Sequence, residues 1–117
     1  YQDNADGPLI RTKDMPGTNL MYCGSEQNLT HPLAAPLHAE SHADLPQAFI
    51  AAAQYDPLRD DSYAYADKLR AAGVPVELDA GEGLIHGYLR AMEYCSDSRA
   101  KLAAMSAWLK SCYAAVA

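Results

Sequence analysis

The chain has 117 residues, of which 50% are hydrophobic and 21% charged, and its formal net charge is −6. This length allows one domain at most, and the apolar share is typical of a packed globular chain. The acidic balance argues against nucleic acid as the main partner, because phosphate binding needs a basic face. No apolar run approaches the ~20 residues of a membrane span. Three scattered cysteines, Cys23, Cys95 and Cys112, are too few for a disulfide framework and favour a reducing, cytoplasmic setting.

Residues 1–45 are predicted to be a loop-rich connecting segment with short helices near 10–15 and 18–23. Prolines at positions 8, 16, 32, 36 and 46 interrupt any long regular element. A structureless stretch of this size is uncommon inside a compact domain. We therefore expect this segment to lie against a body that these residues do not include.

Residues 46–117 carry regular elements in the order strand, helix, strand, helix. The apolar run 48–53 predicts a strand buried on both faces, although its alanines leave a helix open. A helix is predicted over 62–72, with Asp60 or Asp61 as its cap and Gly73 at the position of a helix-ending glycine. Residues 74–78 predict the second strand. A helix between two strands favours a right-handed crossover and a parallel pair.

The last element is predicted to be an amphipathic helix over about 98–115, with Ser96 or Asp97 as its cap. Its apolar stripe comprises Leu102, Met105, Leu109, Cys112 and Val116, which follow helical spacing. Two parallel strands cannot form a stable sheet alone, because both faces and at least one edge need cover. The predicted fold class is therefore α/β, as the last part of a larger sheet that is incomplete on its own.

Two side chains that could carry chemistry follow the two predicted strands. Asp56 comes directly after the first strand, and His86 lies in the Gly-rich loop after the second. Functional groups of open α/β sheets gather just past the carboxyl ends of the strands. A carboxylate there can orient an imidazole and leave its far nitrogen free to accept a proton from a nucleophile. The alternative is that Asp56 merely begins an Asp-Pro turn and that His86 is an ordinary loop histidine.

Residues 56–61 read DPLRDD, and residues 83–88 read GLIHGY. These two motifs resemble the C-terminal end of an α/β-hydrolase, and more closely that of the bacterial hormone-sensitive-lipase-like carboxylesterases. In that family the acid of the catalytic triad sits in a D-P-L-x-D turn and the base in an H-G-F/Y loop one strand later. The resemblance implies that Asp56 is the acid and His86 the base of a Ser-Asp-His triad. It also implies hydrolysis of small uncharged esters without a cofactor or metal.

The nucleophile of that family is missing from the sequence. Neither its G-x-S-x-G elbow nor its H-G-G-G oxyanion motif occurs, and Ser25, which follows Gly24, has no strand before it. Because the triad runs serine, acid, histidine along such chains, the serine is expected upstream or on a companion chain. Residues 79–82, DAGE, also depart from the aromatic and proline-containing turn that the family more often has there.

Weaker candidates keep more than one interpretation. Tyr88 either borders an acyl pocket or packs in the interior. His31, His38 and His42 could suggest a metal site, but the nearby prolines disfavour a helix and no cysteine completes a ligand set. The functional alternative to an esterase is a non-catalytic fragment or interaction module that keeps the C-terminal lobe of the fold. Oligomerisation is left open.

Overall fold

The computed structural model describes residues 2–114, and the chain divides into two compact units, Tyr1–His86 and Gly87–Ala117. In the first unit, strands β1 (Ala48–Ala51) and β2 (Val76–Asp79) form a parallel pair with Ala48 opposite Val76. The predicted order and parallel pairing of the two strands are confirmed. Both strands are shorter than predicted. The last residues of the run 48–53 lie in the loop after β1, and the first residues of 74–78 lie in the loop before β2.

The core of the first unit is small and lies between the strands and the helix that connects them. Ala52 and Ala53 follow β1 and are each 3% exposed, whereas Leu69 of the helix is 1% exposed. Ala66 of the helix is fully buried, and Val74 and Leu84 are buried on either side of β2. Small side chains after β1 let the neighbouring backbone approach closely, and this approach shapes the loops at the end of the pair.

The connecting helix, α2, spans Arg59–Ala71, so the expected cap at Asp60 or Asp61 is wrong. The helix begins earlier because the Asp56 turn leads directly into it, with the Arg59 N–H donating to the Asp56 carbonyl at 3.0 Å. Asp60 and Asp61 instead lie in the first turn, where negative charge favours the helix dipole. Gly73 ends the helix as predicted, with a φ of 79°. The Val74 N–H reaches back to the Leu69 carbonyl at 3.0 Å, which completes a Schellman motif.

The N-terminal part contains a helix, α1 (Met15–Cys23), that follows directly on a 3₁₀ turn at Thr12–Asp14. The two short helices that the sequence predicts therefore join into one continuous segment. Pro16 does not interrupt it because proline lies in the first helical turn, where no N–H donor is needed. Gly24, with a φ of 73°, ends the helix.

The second unit contains a 3₁₀ turn at Tyr88–Ala91 and the helix α3 (Ser96–Ala114). Ser96 and Asp97 lie inside its first turn and do not cap it, because the first helical bond runs from the Arg99 N–H to the Cys95 carbonyl. Of the predicted apolar stripe, Leu102 and Leu109 expose 38% and 49% of their surface, whereas Met105 and Cys112 are half-buried. Its last member, Val116, lies outside the described residues. Between residues 2 and 114, no helix is both long enough and apolar enough to cross a bilayer.

Candidate active site

Asp56 is positioned by an extension of β1 beyond the regular ladder. The Gln54 N–H donates to the Gly81 carbonyl and the Tyr55 N–H to the Leu84 carbonyl, both at 3.0 Å. The chain then turns at Asp56, whose Oδ1 accepts the Leu58 N–H at 2.8 Å. This bond is the Asx turn that an Asp-Pro pair favours, and it fixes the orientation of the carboxylate.

His86 is positioned by the loop that follows β2. Gly81 has a φ of 61°, and its N–H donates to Asp79 Oδ1 at 2.9 Å. Further along the loop, Ile85 forms an isolated parallel bridge with Tyr55. Because Tyr55 and Ile85 directly precede the acid and the histidine, this bridge brings the two functional side chains to the same end of the strand pair.

The side chains of Asp56 and His86 form a hydrogen bond, with His86 Nδ1 2.8 Å from Asp56 Oδ2. The Asp56 side chain is 12% exposed and the His86 side chain 35%. An ionised carboxylate can only accept, so Nδ1 carries the donated proton. In the neutral ring Nε2 is then the acceptor, which is the tautomer that a general base needs.

Two further residues hold this arrangement, and neither of them was assigned to the site from the sequence. The Asn4 side-chain amide donates to the Gln54 carbonyl at 2.9 Å and to the Asp56 carbonyl at 3.3 Å. Gln54 Oε1 accepts the Gly83 N–H at 2.8 Å. Asn4 lies 50 residues before Gln54 along the chain, so no local pattern could reveal the contact.

Arg59 follows the turn at Asp56–Leu58, here called the acid turn, but its side chain pairs with Asp60 and not with Asp56. Its Nε lies 2.9 Å from Asp60 Oδ1, and this hydrogen bond lowers the pKa of Asp60. The same bond raises the pKa of Arg59. Asp56 is instead hydrogen-bonded to His86, and the arginine nearest to it in the sequence is engaged by Asp60.

The remaining sequence candidates have other surroundings. Tyr88 begins the 3₁₀ turn of the second unit and is 8% exposed, and its role in a substrate pocket stays a prediction. His42 is buried, with Nε2 3.0 Å from the Pro36 carbonyl and its ring edge-on to Tyr65. His31 Nδ1 accepts the Leu33 N–H. Within residues 2–114, no three histidine, cysteine or acidic side chains converge on a common metal position.

Comparison with known proteins identifies the family. Residues 1–90 match the family model described as the alpha/beta hydrolase fold. Esterase LipI of Mycobacterium tuberculosis is 48% identical over 89 residues, which cover 74% of this chain and 28% of that protein. An arylesterase of Saccharolobus solfataricus is 45% identical over 69 residues, covering 59% of this chain and 22% of that one. The chain belongs to the α/β-hydrolase family, in the hormone-sensitive-lipase-like branch that its sequence motifs indicate.

A solved structure agrees with this assignment. The thermostable carboxylesterase EstE1, cloned from a metagenomic library, superposes with a TM-score of 0.85 at 27% identity. The match covers 92% of this chain and 36% of EstE1. The chain thus spans about a third or less of the relatives it matches, and its two strands correspond to part of a larger hydrolase sheet.

Proposed function

We propose that the complete protein is a serine carboxylesterase in which this chain supplies the acid and the base of the triad. The observation that carries the proposal is the 2.8 Å hydrogen bond between Asp56 and His86 at the carboxyl ends of two parallel strands. The esterase names of the similar proteins support the same reaction class. The nucleophilic serine and the oxyanion hole belong to a preceding segment or a companion chain.

In the proposed reaction, the serine hydroxyl attacks the ester carbonyl while His86 Nε2 takes its proton. Asp56 stabilises the resulting imidazolium through Nδ1. Backbone N–H groups of the serine-bearing part hold the oxyanion. His86 then gives its proton to the leaving alcohol, and a water molecule hydrolyses the acyl-serine by the same proton path. The expected substrates are uncharged esters with short acyl chains, and the reaction needs no cofactor or metal.

The test is a nitrophenyl-ester assay on the complete protein, combined with intact-mass measurement after treatment with a fluorophosphonate. We expect turnover and one phosphonate adduct on a serine outside these 117 residues. Asp56→Asn should lower kcat by about 10⁴-fold, because the imidazole loses the partner that fixes its tautomer. Absence of both turnover and adduct would contradict the proposal and would favour a non-catalytic module.

A further inference from the structure

We propose that Asn4 is a positioning residue for the acid, which it fixes from the N-terminal segment through the backbone of the acid turn. The proposal rests on the proposed esterase function and adds a residue to it. Its basis is the pair of hydrogen bonds from Asn4 Nδ2 to the carbonyl oxygens of Gln54 and Asp56, at 2.9 and 3.3 Å.

The chemistry of these contacts defines the role of the side chain. A backbone carbonyl can only accept a hydrogen bond, so a single group that bonds to both carbonyls must carry two N–H or O–H donors. The amide nitrogen of Asn4 provides both. Because the two carbonyls flank Tyr55, Asn4 holds the short stretch of chain that leads into Asp56, and it touches neither carboxylate oxygen.

The same stretch is also bonded to the histidine loop, which comprises residues 80–86 between the end of β2 and His86. The Gln54 and Tyr55 N–H groups donate to the Gly81 and Leu84 carbonyls, and Gln54 Oε1 accepts the Gly83 N–H. The stretch is thus bonded both to the N-terminal segment and to the loop that carries the base. Losing the Asn4 bonds removes one of these two attachments and lets the acid turn shift relative to the histidine.

The segment that carries Asn4 is itself ordered and close to the turn. The Thr12 N–H donates to the Ala5 carbonyl at 2.8 Å, and Asp6 and Arg11 form an antiparallel bridge. At Gly7, an added Cβ would lie 3.0 Å from Pro57 Cδ. Asn4 and Gly7 therefore both lie against the acid turn, and the Asn4 amide makes the polar part of that contact.

The test compares Asn4→Asp, Asn4→Ala and the control Asn28→Asp in the complete protein. Asn4→Asp keeps the shape of the side chain but places acceptor oxygens against two carbonyls. Asn28 makes the same kind of bond, to the Cys23 carbonyl at 2.9 Å, on an exposed part of the first unit. We expect both Asn4 variants to lower kcat by about 10- to 100-fold with little change in KM, since small misplacements of catalytic groups are costly. Asn28→Asp should retain the parent kcat.

Proton NMR supplies a readout that a purely structural role would not move. The low-field Nδ1–H resonance, assigned by its loss in His86→Ala, should shift or broaden in both Asn4 variants and stay in place in Asn28→Asp. A lower melting temperature with unchanged kcat and unchanged resonance would overturn the proposal. If His86→Ala is inactive while the Asn4 variants behave as the parent, only this inference fails. If His86→Ala keeps its activity, the esterase assignment itself fails.

Discussion

The backbone around Gly81, in the histidine loop, leaves no room for a side chain, and this gives a sharp prediction for Gly81→Ala. A Cβ at Gly81 would overlap the carbonyl oxygen of Ala52 and would lie 2.9 Å from the Ala53 Cα. Both obstacles are backbone atoms, which cannot rotate aside. Gly83 lies in the same loop at a φ of 73° with open space around its Cβ position. Gly83→Ala is therefore a matched control that shares the backbone strain but not the collision.

The magnitudes follow from these differences. Alanine at a positive φ costs about 1–2 kcal/mol at either position. At Gly81 the collision adds roughly 1–3 kcal/mol of strain. Displacing the Gly81 carbonyl also weakens its bonds from the Gln54 and Leu84 N–H groups, at about 1 kcal/mol each. Gly81→Ala should thus cost about 4–7 kcal/mol, and Gly83→Ala about 1–2 kcal/mol.

Urea denaturation of the complete protein measures both costs, and ester turnover below the transition reports on the histidine. We expect Gly81→Ala to unfold at a much lower urea concentration than Gly83→Ala. Where it stays folded, it should also lose most of its kcat. Equal denaturation midpoints for the two variants would refute the reasoning, because they would leave backbone strain as the only effect.

Four further substitutions test the local physics of the first unit. Asp44 has a φ of 60°, so Asp44→Gly should stabilise the fold by about 0.5–1 kcal/mol, measured as a higher melting temperature. Gly17 lies inside α1 with nothing near its Cβ position, so Gly17→Ala should stabilise the fold by about 0.5–1 kcal/mol. Gly73→Ala should destabilise the fold, because Gly73 has a positive φ. A change of the same sign in both variants would refute the argument from φ. The hydrogen bond from Arg59 lowers the pKa of Asp60, so the stability it adds is present above the unfolded-state pKa and is lost as pH falls through the folded-state value. Asp60→Asn should therefore show a small deficit in melting temperature near neutral pH that disappears in acid, and a deficit that grows in acid would contradict this sign.

The elements that the sequence predicts well are those whose signals are local. The parallel strands follow from short apolar runs with a helix between them, and the end of α2 follows from Gly73 at the required position. The start of α2 is mispredicted because Asp56 and Asp60 are both plausible turn residues. The choice between them depends on the Leu58 N–H bond to Asp56, which only the folded turn reveals.

The candidate site divides in the same way. Asp56 and His86 can be proposed from their positions after the two strands and from the family motifs, and the structure brings them together at 2.8 Å. Asn4 could not be found, because its bonds to the acid turn span about fifty residues of chain. The apolar stripe of α3 shows the same limit. Its periodicity identifies the apolar face of the helix but not the element that packs against that face.

The central claim is that His86 is the general base of an esterase, and the kcat/KM of His86→Ala tests it most directly. The assay uses a nitrophenyl ester and the complete protein, with His38→Ala as the control because His38 is an exposed residue at the end of a 3₁₀ turn. The account predicts a loss of about 10⁶-fold for His86→Ala, as expected when the base of a serine triad is removed, and parent activity for His38→Ala. A kcat/KM for His86→Ala close to that of the parent protein would contradict the account.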